Sequence, residues 1–124
     1  MNKPMKESVL QEKSLAFAVR VVRFYRYLCD EKREYVLSKQ ILRSGTGIGA
    51  NVRESRNAQS PADFITKLTI ALKEADETQY WLELLNLSDY ITPEEFQSLN
   101  NDLTELVAML TSSIKTIKGK NSKK

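Results

Sequence analysis

The 124-residue chain is predicted to be all-α, an antiparallel (up-down-up-down) four-helix bundle forming a single domain, residues 1–124. Three observations predict this. Apolar residues recur in alternating steps of four and three along most of the chain. Capping residues divide it cleanly, and no segment shows the period-two alternation of a strand.

The first helix, about 8–29, is marked by Leu10, Phe17, Val21, Phe24 and Leu28. The second, about 38–58, carries Ile41, Ile48 and Val52 as its stripe and has three glycines inside it. The third, about 61–88, starts at Ser60-Pro61-Ala62-Asp63, which puts a hydroxyl at the N-cap, proline at the first helical position and a carboxylate at the third. Its stripe is Phe64, Leu68, Ala71, Ala75, Leu82 and Leu85. Thr92-Pro93-Glu94-Glu95 repeats that start for the fourth helix, about 93–118, with Phe96, Leu99, Leu103, Leu106, Leu110 and Ile117. The basic tail 119–124 is expected to be disordered.

The glycines raise a functional question. Gly45, Gly47 and Ala50 fit G-x-G-x-x-G/A, the fingerprint of dinucleotide-binding loops. That fingerprint needs a strand before it and a sheet around it, and a Walker loop needs a Gly-Lys-Ser/Thr ending; the chain offers none of these. On a helix, Gly45 and Gly49 fall in the arc of Ile41, Leu42, Ile48 and Val52, whereas Gly47 faces the polar side. A Gly-x-x-x-Gly ridge lets a neighbouring helix approach closely, which can offset the roughly 1 kcal/mol that each interior glycine costs. The competing expectation is a helix kinked or broken at this point.

Composition narrows the function classes. The hydrophobic share of 41% and charged share of 28% are those of a soluble domain. No apolar run approaches the roughly 18 residues of a membrane span, and the amino terminus is too polar for a secretory signal. A single cysteine, Cys29, makes the cytoplasm the expected location. The net charge of +3 hides a division: residues 1–60 carry 12 Lys/Arg against 6 Asp/Glu, residues 61–118 carry 4 against 10, and all seven arginines lie in the first half.

Two kinds of surface remain after the core stripes are assigned. Leu15, Ala18, Val19 and Val22 form a second apolar seam on the first helix; Ile70, Trp81 and Leu84, with Glu74 and Glu77 between them, form another on the third. Such seams predict a protein–protein interface. The charge division suggests a heterologous contact between basic and acidic faces, which closes into a ring where the rotation permits. Arg20, Arg23 and Arg26 on the first helix, and Lys39, Arg43, Arg53 and Arg56 on the second, make a basic surface suited to phosphate. Ion pairing with Glu74, Glu77 or their equivalents is the equal alternative.

Enzymatic readings are weak. Histidine is absent, which removes the Glu-x-x-His ligands of bundle di-iron sites and the commonest general base. Glu31-x-x-Glu34 and Glu74-x-x-Glu77 resemble paired carboxylates of magnesium-dependent pyrophosphatases, but the first pair falls in the expected solvent-facing loop. No enzyme activity, metal or other cofactor is expected.

The stretch Gln40-Ile-Leu-Arg43-Ser-Gly-Thr-Gly-Ile48-Gly-Ala50-Asn51-Val-Arg-Glu54-Ser resembles the second helix of the small proteins encoded within 23S rRNA intervening sequences. Asp63-Phe64, Leu68-Thr-Ile70-Ala71, Glu77 and Leu82 resemble that family's third helix, so the match covers most of residues 15–91. The family often has Ser-Ile-Pro-Ala-Asn where this chain has Gly47-Ile48-Gly49-Ala50-Asn51, a departure closer to the accessory protein of diversity-generating retroelements. The resemblance implies a four-helix bundle assembled as a homopentameric ring, in a family with no established catalytic activity. Its retroelement branch implies RNA or DNA binding through a basic surface and a reverse transcriptase partner. A purely structural adaptor for a protein partner, with no nucleic acid bound, is the alternative expectation.

Overall fold

The computed structural model describes residues 5–122. Four α-helices account for the fold: α1 (Met5–Asp30), α2 (Leu37–Ser55), α3 (Pro61–Leu87) and α4 (Pro93–Ser122). Each packs against the two beside it in the cycle α1–α2–α3–α4; among the described residues the backbones of the diagonal pairs stay more than 8 Å apart, Cα to Cα. Loops of about five residues force consecutive helices to run antiparallel.

The stripes read from sequence form the core. Phe17, Val21 and Leu28 of α1, Ile41, Ile48 and Val52 of α2, Leu68, Leu82 and Leu85 of α3, and Leu103, Leu106 and Leu110 of α4 are all buried. Phe64, Phe96 and Ile117 lie at the margin, half-buried. Between α2 and α3 the small hydroxyls of Ser44 and Thr78, both fully buried, share a 2.9 Å hydrogen bond.

Both proline-led starts are capped from two sides; α4 has a reciprocal capping box, while at α3 the carboxylate reaches past the N-cap to the residue before it. Asp63 N donates to Ser60 Oγ at 3.1 Å while Gln59 N donates to Asp63 Oδ2 at 3.1 Å. At α4, Glu95 N donates to Thr92 Oγ1 and Thr92 N donates back to Glu95 Oε1. α3 ends in a Schellman turn: Tyr90 N donates to Leu85 O, Asp89 N donates to Asn86 O, and Asp89 takes the left-handed conformation at φ 66.

Three expectations need correction. α2 stops at Ser55 rather than near 58, and residues 56–60 bridge to the Ser60 cap. α4 continues to Ser122, so residues 119–122, expected to be disordered, are helical; Lys123 and Lys124 lie outside the described residues. Proline is absent beyond Pro93, and a lysine in the last turn suits the negative end of the helix dipole. Glu34, expected in a solvent-facing loop, is 7% exposed and bonded to the start of α2. α2 itself runs unbroken through its three glycines, none of which has a positive φ, so it is not broken there.

Candidate nucleic-acid interface

The glycines set how closely α2 meets both neighbours. A Cβ on Gly45 would lie 2.8 and 2.9 Å from the two Cγ atoms of Val21, and one on Gly49 would lie 3.1 Å from Ser14 O. Both therefore mark close approach to α1, as the ridge predicted. Gly47, expected on the polar side, faces α3 rather than open solvent. It is half-buried against α3, where an added Cβ would meet the Glu74 carboxylate and lie 3.2 Å from Glu74 Cδ. α2 lies between two helices, so the flank carrying Gly47 is covered as well, while Lys39, Arg43 and Arg53 stay exposed.

Glu74 and Glu77 are both engaged within the chain. Arg43 donates to Glu77 and lies 3.7 Å from Glu74 Oε2, and Trp81 Nε1 donates to Glu77 Oε2 at 3.0 Å. Partial burial pushes the Glu74 carboxyl up from its ordinary pKa; the Arg43 guanidinium opposes this and the Glu77 carboxylate adds to it. Gly47→Ala should thus be close to neutral, within about 0.5 kcal/mol, because displacing Glu74 offsets the helix-propensity gain. Made on a Glu74→Ala background, the same change should stabilise by about 1 kcal/mol in urea melts.

The basic residues do not form one patch. Arg20 is committed to α4, donating to Asp102 Oδ2 at 2.8 Å and to Ser98 Oγ at 2.9 Å. Arg43 is committed to α3. Arg23, Arg26, Lys39, Arg53 and Arg56 make no ion pair among the described residues. Antiparallel topology places Arg23, Arg26 and Lys39 towards the end where α1 passes into α2, together with Lys32 and Arg33. Arg53 and Arg56 lie towards the other end of α2; at the helical rise Arg23 and Arg53 are about 15 Å apart along the axis, and Lys39 and Arg56 about 25 Å.

Of the seam residues, Leu15 is 53% exposed, Val19 42% and Ile70 37%. Val22, Trp81 and Leu84 are half-buried, and Trp81 packs against the core as well as bonding to Glu77. The more exposed apolar groups on α3 are Tyr80 at 56% and Leu87 at 80%, neither of which the apolar seams of the sequence include. Tyr80 meets Trp81 edge-on, with centroids 5.0 Å apart. Their register, at steps of three and four from Ile70 and Leu84, was the available signal.

Two grooves flank α1. One, about 200 Å³, runs between α1 and α2 beside Leu15, Ala18, Gly49 and Arg53. The larger, about 490 Å³, opens between α1 and α4, where those helices pack least closely. α1 lines it with Arg20, Arg23, Phe24 and Tyr27, and the first turns of α4 supply Glu94, Glu95 and Ser98. Among the described residues, no three metal-ligating side chains gather, and no helix is long and apolar enough to cross a membrane.

Among curated proteins, none matches the chain significantly. A crystal structure at 1.70 Å, of a protein from Bacteroides thetaiotaomicron VPI-5482 described as being of unknown function and from the S23 ribosomal protein family, is similar to it. The two are 61% identical with a TM-score of 0.88, over 90% of this chain and 99% of that one. The family model for the 23S rRNA-intervening sequence protein matches residues 6–112, nearly the whole four-helix unit, and the chain belongs to that family.

Proposed function

We propose that this protein is a non-enzymatic, cytoplasmic, ring-forming bundle, a homopentamer, that binds structured RNA or DNA through its basic surface. A reverse transcriptase is the protein partner suggested by the retroelement-like Gly47-Ile48-Gly49-Ala50-Asn51 segment. The observation carrying the nucleic-acid reading is the set of arginines and lysine without ion pairs: Arg23, Arg26, Lys39, Arg53 and Arg56. These five cations all belong to the basic half of the chain and are free of internal carboxylates, which suits a polyanion. They are strung along one subunit over about 15 to 25 Å, so one subunit offers a ligand strand only a few charges. A ring repeats them and binds by avidity.

The ring reading rests on exposed apolar groups on opposite-charge halves. Leu15 and Val19 stand on the basic half, and Ile70, Tyr80 and Leu87 on the acidic half. Glu74 and Glu77 support this seam by holding Arg43 and Trp81 in place rather than by offering free charge. The purely structural adaptor is favoured only by Arg20 and Arg43, which are used in ion pairs.

Leu15→Asp together with Val19→Asp should leave the fold intact, since both side chains are exposed, and convert the assembly to monomers in light scattering. The same variant should bind RNA or DNA at least about tenfold more weakly at fixed salt, with all its arginines present. Wild-type affinity should fall steeply as salt rises. A variant that remains a large oligomer removes the interface; undiminished binding by monomers places the site within one subunit. Absence of any salt-dependent binding leaves the adaptor.

A further inference from the structure

We infer that the α1–α4 groove is a base-selective nucleotide site, taking one unpaired guanine of a bound strand; this rests on the nucleic-acid reading above. The groove's volume, about 490 Å³, falls within the range of small-molecule sites, roughly 300–1,000 Å³. Its lining is chemically mixed. Arg23 is an unpaired guanidinium, while Glu94 is an unpaired carboxylate on the opposite wall. A plain phosphate would be repelled by the carboxylates, and a plain cation by the arginines. The fitting ligand carries both a negative group and hydrogen-bond donors.

A nucleotide has both. Tyr27, stacked on Phe24 with centroids 6.4 Å apart and planes at 22°, supplies an aromatic wall for a base once Lys32, which lies over its ring, swings out to a flanking phosphate. Lys32 Nζ, 5.8 Å from the Tyr27 centroid, and Arg23 supply cations for the flanking phosphates. The other polar groups are already engaged: Arg20 is held by Asp102 and Ser98, and Glu95 accepts from Thr92 N. Glu94 is therefore the free acceptor. A carboxylate has two oxygens side by side, and guanine alone presents two adjacent donors on its Watson–Crick edge, N1–H and the N2 amino group. Cytosine and adenine offer one amino group, and uracil a single ring N–H.

The test uses the whole chain and three RNA heptamers of uridine, differing only in a central guanine, cytosine or uracil, titrated at low salt. The wild type should bind the guanine heptamer about tenfold more tightly than the uracil one, with cytosine between. Glu94→Gln, an exposed substitution, should remove most of that preference while binding the uracil heptamer as well or better, because a negative charge is gone. Arg56→Ala, at the far end of the bundle, should weaken all three alike. Equal wild-type binding of all three heptamers, or a guanine preference that survives Glu94→Gln, overturns the guanine site and leaves general nucleic-acid binding standing. Failure of every heptamer, and of longer structured RNA and DNA, overturns both readings.

Discussion

Gly49→Leu should destabilise the bundle by about 3 kcal/mol or more, despite a helix-propensity gain of about 1 kcal/mol. The first atom of any side chain at this position would lie 3.1 Å from Ser14 O and 3.4 Å from Ser14 C. Those atoms are helix backbone, which cannot rotate away, so α1 and α2 must separate along the contact. Gly45→Leu should cost at least as much. There the obstacle is Val21, 1% exposed and β-branched, whose two Cγ atoms lie 2.8 and 2.9 Å from where a Cβ would stand. Urea melts followed by circular dichroism measure both. A Gly49→Leu protein melting together with the wild type would mean that α1 and α2 slide freely past each other.

The sequence carried the fold because the fold is written in local signals. Proline with a hydroxyl before it and a carboxylate after it placed the starts of α3 and α4 to the residue. Periodicity placed Phe17, Ile48, Leu82 and Leu106 inside. Periodicity gives the direction of a side chain but not what stands opposite it. Gly47 was correctly set apart from Gly45 and Gly49, yet its far side is the Glu74 carboxylate rather than water.

The candidate site was legible in the same partial way. Arg20 and Arg23 were recognisable as basic residues of the first helix, but their neighbours on α4 come from more than 65 residues later in the chain. Which arginine is spent on an ion pair depends on those distant partners: Asp102 for Arg20, Glu74 and Glu77 for Arg43. Exposure separates groups that periodicity treats alike. Trp81 is partly used by the fold, while Tyr80 beside it is 56% exposed.

The start of α2 shows the limit of pattern reading most sharply, and it carries the second large effect. Its N-cap position is Val36, which has no side-chain acceptor. The first-turn amides are instead held by Glu34, two residues upstream: Oε2 accepts from Val36 N at 3.1 Å and Leu37 N at 3.0 Å, and Oε1 from Ser38 N at 2.6 Å. Arg33, at φ 53, turns the chain so that this carboxylate points back into the helix, and Glu34 N donates to Leu28 O at 3.0 Å. Glu34→Ala would strip three amides of their acceptor in a buried position and should cost about 2 kcal/mol. Glu34→Gln keeps one amide-accepting oxygen but loses the charge that complements the helix dipole, and should cost about 1 kcal/mol. The ordering Ala worse than Gln, read from urea melts, is the signature of a capping carboxylate. Faster hydrogen exchange at the Leu37 and Ser38 amides in Glu34→Ala would place the loss at this turn. Wild-type melting of Glu34→Ala would show that water caps α2 equally well and that Glu34 holds nothing.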